Sequence, residues 1–220
     1  MKRVSAFMAV AASALLLVTG CGGGSDNGAP AQIVTHILSD SRFDGDIEQT
    51  SATSYVVTQV SPDVQSVFAG IDPTAQTEFR AFLDFPLTGP DGIPGDAFID
   101  SAFLEVLVNN LTPGNGSVPI RVELVSFQPP TLVGSDFDRA IQPPLVAVLV
   151  SGNVTAADIG QYVAVDVTPL MVRAQQLGLS DFQVRVMEDL GPPIYTLMEI
   201  DDSTASDRPQ RAPLLTVTYH

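Results

Sequence analysis

Hydrophobic and polar residues alternate along most of this chain, in short runs separated by Gly, Pro, Asp or Asn. Successive side chains of a β-strand point to opposite faces, so this alternation is typical of strands buried on one face. Many runs are rich in Val, Ile, Phe and Thr, which strands favour. Eleven strands are predicted, over residues 32–38, 54–60, 66–71, 78–85, 98–107, 118–127, 145–150, 162–167, 182–187, 194–200 and 214–219.

The same alternation assigns faces within single strands. In the predicted strand 98–107 and just beyond it, one face carries Ala102, Leu104, Val106 and Val108. Glu105 indicates that the other face is at least partly exposed to solvent. In the predicted strand 78–85, Leu83 and Phe85 lie opposite Arg80, Phe82 and Asp84. Many short strands of this kind, with turns every ~8–12 residues, predict an all-β sandwich or barrel.

One short helix is predicted at about residues 168–177. Thr168 can cap it and Pro169 suits its first position. Apolar residues then recur at helical spacing until Gly178 ends the pattern. A helix of about ten residues in an all-β chain suggests a lid over one end of the sandwich.

The N-terminus predicts secretion. Lys2 and Arg3 precede an apolar run over residues 6–18. This run is shorter than the ~20 apolar residues of a membrane-spanning helix and has the length of the apolar part of a secretory signal. The prediction is therefore a signal peptide over residues 1–20.

The end of that run resembles the lipobox of bacterial lipoproteins. It reads Leu-Val-Thr-Gly-Cys over residues 17–21, and Cys21 is the only cysteine of the chain. In that family the signal is cut before the cysteine, which then receives lipid. The resemblance implies lipid attachment at Cys21, and Gly22 implies export to the outer membrane, on its periplasmic or exposed face. The alternative is an ordinary signal peptide with a chance cysteine.

A glycine-rich stretch follows Cys21, so residues 21–30 are predicted to be a flexible tether and residues 31–220 one β-sandwich domain. The formal net charge is −15, from 10 basic and 25 acidic residues. Such a surface repels phosphate backbones, which argues against nucleic acid as a partner. It attracts divalent cations or basic partners, although solubility alone also explains it.

Four segments resemble, in order, the secreted DNRLRE domains, which are related to a carbohydrate-binding-module family. The first is residues 80–87, with the pattern Arg-x-x-Leu-x-Phe-x-Leu, and the second is residues 99–106, with Ile-x-x-Ala-x-Leu. The third is residues 165–170, where Asp-Val-Thr precedes the predicted helix. The last is residues 212–219, with the closing pattern Pro-x-Leu-x-Val-x-Tyr. The resemblance implies a jelly-roll β-sandwich that serves as an extracellular carbohydrate-binding module. The family's tryptophan has no counterpart, since the chain has no Trp.

Acidic residues 40–48 form the densest candidate for a metal site. Asp40, Asp44 and Gly45 match a calcium loop, but Arg42 and Ser51 replace two of its ligands, so an EF-hand is excluded. A second acidic cluster, residues 199–202, could converge on the first because terminal strands often meet in a sandwich. The calcium ligands would then be Asp40, Asp44, Asp46 and Asp202, and the alternative is a set of solvated turns.

The sequence shows no catalytic motif. Its only histidines are His36, in a predicted strand, and His220, the last residue. It has no Gly-x-Ser-x-Gly elbow, zinc-ligand spacing, P-loop or dinucleotide fingerprint. We therefore expect no enzymatic activity.

The leading functional hypothesis is a lipid-anchored, non-catalytic module that binds a polysaccharide or another ligand of the cell envelope. Tyr55, Tyr162 and Tyr195 could line its binding face, or could simply pack. The alternatives are a structural lipoprotein that binds another envelope protein and a hydrolase of envelope glycans.

Overall fold

Antiparallel strands make up just under half of the described residues and form most of the regular structure. The computed structural model describes residues 30–59, 65–90, 92–127 and 131–220. The predicted signal peptide, Cys21 and all of the tether but Pro30 lie outside them. The strands are β1 (Ile33–Leu38), β2 (Gly45–Ser51), β3 (Ser54–Gln59), β4 (Ser66–Ile71), β5 (Glu78–Pro86), β6 (Ile99–Thr112), β7 (Ser117–Val118), β8 (Ile120–Val125), β9 (Val146–Leu149), β10 (Val154–Thr155), β11 (Tyr162–Asp166), β12 (Asp181–Glu188), β13 (Leu197–Asp201) and β14 (Leu214–Tyr219).

Twelve of these strands form one sheet that curls into two layers. Layer one has the order β1–β14–β6–β11, and layer two has the order β3–β2–β5–β12–β8–β9. The 14-residue strand β6 pairs with β14 through its first part and with β13 through its end, and β4 joins β13 to β5. Along the chain, β6 lies in the layer opposite β5 and β8, and β11 lies in the layer opposite β9 and β12, whereas β8 and β9 pair with each other in layer two. The predicted all-β, sandwich-like fold is confirmed.

The core lies between the two layers and follows the predicted faces. Ala102, Leu104, Val106 and Val108 are all buried there. Leu83 and Phe85 reach the same core from β5. Burying such side chains is the main favourable term in folding, at roughly 1.5–3 kcal/mol each.

The outer face of layer two is also covered, which the alternation did not predict. Phe82 is buried, although it lies opposite Leu83, and it belongs to a second apolar cluster with Ile47, Val125, Phe127, Leu132 and Phe137. The covering segment is residues 131–142, which includes a 3₁₀ turn over Gly134–Phe137. We call residues 131–142 the cross-over segment.

Helix α1 (Thr168–Gln176) is where the sequence predicted it, and α2 (Arg208–Arg211) is a single turn. Leu170, Met171 and Ala174 bury one face of α1 in the core. The predicted cap is wrong, because the Thr168 hydroxyl faces β6 and bonds the Ala102 N–H at 2.9 Å. No helix of the described residues has the length and apolar character needed to cross a bilayer.

Strand β2 is the main element that the sequence analysis missed. It begins at Gly45, so it includes the second part of the acidic segment 40–48. Ile47 packs in the second apolar cluster, while Asp46 faces the other way and is nevertheless buried. The strand forms because its backbone pairs with both β3 and β5, and a single apolar residue gave too little alternation to show it.

Candidate functional site

A buried ion pair lies on the outer face of layer two, beneath the cross-over segment. Glu123 of β8 and Arg185 of β12 lie directly opposite each other on neighbouring strands. Both side chains are 0% exposed, and Arg185 donates from Nη2 to Glu123 Oε2 at 2.6 Å. Arg121 and Arg139 add bonds of 2.8 and 2.9 Å to the other carboxylate oxygen, Oε1. One carboxylate therefore holds three guanidinium groups.

These bonds determine the charge state of Glu123. Burial by itself would raise the pKa of Glu123, but the hydrogen bonds from Arg185 and Arg121 outweigh burial and hold that pKa below its ordinary value. Burial lowers the pKa of Arg185, and the Glu123 carboxylate opposes that shift. A buried pair of opposite charges is stable only when its remaining donors and acceptors are also satisfied.

The remaining donors of Arg185 fix the cross-over segment. Arg185 Nη1 donates to the Asp136 carbonyl at 2.8 Å, and Nη2 donates to the Gln142 carbonyl at 3.1 Å. The Gln142 side chain in turn donates to the Ser126 carbonyl at 2.6 Å. The segment is thus tied to the sheet within the 3₁₀ turn, at Asp136, and at its end, at Gln142, which places Phe137 against the strands.

An open groove of about 340 Å³ lies beside Phe137. The guanidinium of Arg80, on β5, stands 3.9 Å from the centre of the Phe137 ring and donates to the Phe137 carbonyl. Tyr55, on the edge strand β3, also packs against the Phe137 ring, with ring centres 5.4 Å apart. The groove is lined by Gln49, Ala52, Tyr55, Arg80, Phe137, Asp138, Arg139 and Leu190.

A second recess of about 260 Å³ continues the groove, since Arg80 and Leu190 line both. Glu188 is 4% exposed and lines this recess. Its Oε1 accepts the Ile194 N–H at 2.5 Å, while Oε2 has no hydrogen-bond partner among the described residues. Burial first, and then Glu78 and Asp189, raise the pKa of Glu188. The binding groove, as we call both parts together, thus offers donors, an unused acceptor and aromatic rings.

The two acidic clusters named as calcium ligands do converge, but on an arginine. Arg208 donates to Asp202 Oδ1 at 2.7 Å and lies 3.5 Å from Asp44 Oδ2. Asp44 also accepts the Asp84 N–H at 2.8 Å. Burial and the neighbouring Asp202 raise the pKa of Asp44 well above its ordinary value.

The other two predicted ligands lie in different surroundings. Asp40 pairs with Arg42 and bonds its backbone N–H. Asp46 bonds the Phe68 N–H and the Thr58 side chain. Across residues 30–59, 65–90, 92–127 and 131–220, no three His, Cys, Asp or Glu side chains come together as a metal site. The four aspartates therefore do not share one site, and calcium binding stays a prediction.

The histidines and tyrosines are distributed over separate surfaces. His36 bonds the Thr216 hydroxyl at 3.1 Å, and His220 bonds Asp100 at 3.1 Å. Neither lines the binding groove. Tyr55 does line it, whereas Tyr162 is 51% exposed on β11 and donates to the Gln210 carbonyl. The three tyrosines named from the sequence therefore do not form one row.

The sequence analysis missed Arg80, Phe137, Arg139 and Glu188 as groove residues. One signal was present, because charged residues alternate with Val and Leu inside the strands that contain Glu123 and Arg185. Charged residues on the same face of two neighbouring strands are compatible with a buried network of ion pairs as well as with a solvent-exposed surface. The cross-over segment itself shows no strand or helix period.

No model of a known protein family matches this chain, and a search of curated proteins finds no match for it. The resemblance to DNRLRE domains therefore stays a prediction.

Replacing Arg185 by Met should destabilise the fold by ~3–5 kcal/mol, because it leaves the Glu123 carboxylate buried with fewer partners. Arg42→Met is the matched control, since Arg42 is 73% exposed beside Asp40 and an exposed ion pair adds little to stability. Urea unfolding of both variants measures the difference. Equal losses would contradict the role given to the buried pair.

Raising the pH from 4 to 8 should lower the stability contributed by two buried aspartates. Burial raises the pKa of Asp46 to about 7 and that of Asp84 to about 6. The folded chain then keeps protons that the unfolded chain has lost, so the free energy of unfolding falls by ~1.4 kcal/mol per unit of pKa elevation. Asp46→Asn should flatten this profile.

The exposed Asp96 supplies the control for that measurement. Asp96→Asn removes the same charge and should keep the pH profile of the unchanged chain. Parallel profiles for Asp46→Asn and the unchanged chain, from urea unfolding at several pH values, would show that Asp46 titrates normally.

Proposed function

We propose that this chain is a lipid-anchored, extracytoplasmic, non-catalytic module that binds a polysaccharide of the cell envelope in the binding groove. One observation carries the proposal. The groove brings the Tyr55 ring and the guanidinium groups of Arg80 and Arg139 to one open surface, and the buried Glu188 carboxyl group lines its continuation.

These groups match the chemistry of a sugar. A sugar ring has apolar C–H faces, which pack on aromatic rings, and hydroxyl groups that both donate and accept hydrogen bonds. Arg80 and Arg139 supply donors, and Asp138 supplies an acceptor. A groove that is open along its length also admits a chain of residues, whereas a closed cavity admits a single small molecule.

The base under the groove supports tight binding. Ordering side chains and loops on binding costs about 0.5–1.5 kcal/mol for each flexible side chain. Arg80 and Phe137 are already held by their mutual contact, and the Arg185 bonds hold the cross-over segment. The groove walls therefore lose little freedom when a ligand binds.

The DNRLRE resemblance supports the proposal at the level of the framework. Its four segments fall on β5, β6, the junction of β11 with α1, and β14. These elements carry the core, and Arg80, in the first segment, also lines the groove. The polysaccharide class comes from this resemblance, and the position of the site comes from the groove.

Tyr55→Ala should weaken polysaccharide binding about tenfold or more, which corresponds to ~1.4 kcal/mol. The measurement is a glycan array with the full chain, with and without calcium, followed by titration of the glycans that bind. Tyr162→Ala is the matched control and should bind unchanged, because Tyr162 lies on β11 in the other layer.

Three results would contradict the proposed function. Flat signals on all glycans in both conditions would discard polysaccharide as the ligand. An equal loss of glycan affinity in Tyr55→Ala and Tyr162→Ala would show that the glycan does not bind in the binding groove. Release of reducing ends from a bound glycan would indicate a hydrolase, for which Glu78, Glu188 and Asp189 are the carboxyl groups that line the recess.

Cys21→Ala should abolish lipid attachment, because the thiol is the acceptor of the diacylglycerol in the lipobox resemblance. We expect labelled palmitate in the unchanged chain after expression in a Gram-negative host, together with its recovery in the membrane fraction, and neither for Cys21→Ala. Ser25→Ala, four residues further along, should behave like the unchanged chain. Label retained by Cys21→Ala would refute the anchor.

A further inference from the structure

A second cleft opens where β2 and β3 face β4 and β13. Its volume is about 430 Å³. The side chains that shape it come from all four strands and from the start of β5, and they include Asp46, Thr58, Ser66, Phe68, Phe79 and Glu199. It shares no lining residue with the binding groove. We call it the acidic cleft.

Asp46 is the unusual group in the acidic cleft. It is only 2% exposed, yet its Oδ2 atom has no hydrogen-bond partner among the described residues. The Phe68 N–H and the Thr58 side chain bond the carboxyl group, which leaves one acceptor position unused. A buried acceptor without a donor costs folding free energy, so a ligand that supplies a donor recovers that cost.

No cationic side chain lines this cleft within the described part of the chain. Several other buried acids pair with an arginine, as Glu123 does with Arg185 and Asp202 does with Arg208. A second carboxylate, Glu199, accepts a hydrogen bond from the Ser66 hydroxyl at 2.7 Å and has no ion pair among the described residues. The charge that is missing from the cleft is therefore a positive one.

Two aromatic rings complete the cleft. Phe68 and Phe79 meet edge to face, with ring centres 5.9 Å apart. The face of an aromatic ring attracts a cation and also packs against methylene groups. A divalent metal ion would need several oxygen ligands, and no such group of three acids stands in the described residues. Rings beside a carboxylate favour an organic cation.

We propose that the acidic cleft binds a primary ammonium group on an aliphatic chain, with Asp46 as its counter-ion and the rings of Phe68 and Phe79 against its methylene groups. A single unused oxygen suits the point charge of an ammonium, whereas a guanidinium fork favours two acceptors. The source is either a lysine side chain of a partner protein or a free polyamine.

Binding should release a proton near neutral pH. Burial raises the pKa of Asp46 to about 7, and Glu48 on the same strand adds to the shift. The acids that face Asp46 across the cleft and along β2 are Glu199 and Glu48. A bound ammonium stabilises the ionised form of Asp46, so the proton leaves as the ligand enters.

Isothermal titration calorimetry of the full chain at pH 8 tests the site. The probes are putrescine, for a free polyamine, and N-acetyl-lysine methylamide, for a lysine side chain. N-acetyl-norleucine methylamide has the methylene groups without the charge, and calcium chloride tests a metal. We expect one or both amines to bind, and neither control to bind.

The two amine results identify the source, and each supports the site. Stronger binding of putrescine indicates a free polyamine, and stronger binding of the lysine probe indicates a partner protein. Binding of neither amine overturns the proposal. The proposal is also overturned if the norleucine probe binds as tightly as the lysine probe. It is likewise overturned if neither amine binds and calcium binds in a way that depends on Asp46.

Variants link the binding to the cleft. Asp46→Asn should weaken amine binding by about tenfold or more, as expected for a lost bond to a charged group. Asp96→Asn removes one charge from an exposed loop and should bind as the unchanged chain does. Titrations at pH 7 in two buffers with different ionisation heats should show proton release that Asp46→Asn lacks.

Thermal unfolding shows whether each variant is folded. If Asp46→Asn does not fold, Glu199→Gln and Phe79→Leu provide the test, since each removes a different attraction for the ammonium. Full affinity in both of these variants would overturn the proposal.

Discussion

The ion pair between Glu123 and Arg185 determines how the outer face of layer two is organised. Removing two charges from water is costly, and well-packed apolar residues in their place would often be as stable. What an apolar pair could not do is bind carbonyl groups. Arg185 reaches the carbonyls of Asp136 and Gln142, so one side chain joins two strands to the cross-over segment and places the groove wall.

The positive charges of this acidic chain are concentrated at a few buried acids. Glu123 holds three arginines, and Arg208 stands between Asp44 and Asp202. Asp46 and Glu188 stand out because each keeps a buried carboxyl oxygen without a partner among the described residues. The surroundings of these two acids differ: Glu188 has Arg80 in the same recess, whereas the lining of the acidic cleft is acidic, polar and aromatic. One fold thus presents two clefts of different chemistry, one suited to hydroxyl groups and one to a cation.

Local sequence patterns predicted the elements best where apolar residues recurred at the period of a strand or a helix. Strand β4 matches its prediction at both ends, and α1 ends within one residue of its predicted limit. Strand β2 was missed because Ile47 is the only apolar residue of the strand, which is too little to show alternation. The strand forms through backbone pairing with β3 and β5, which the local sequence does not show. The cap of α1 was wrong because the Thr168 hydroxyl bonds a strand 66 positions away in the chain.

By itself, the sequence determined which residues enter the central core, since alternation at a period of two depends only on neighbours along the chain. Leu104 and Val106 are buried as that period requires. Only the tertiary structure decided that the opposite face of layer two is covered as well, and therefore that Arg185 is buried. The groove also depends on Tyr55, Arg80 and Phe137, which are far apart in sequence and meet through side-chain contacts that no local period encodes.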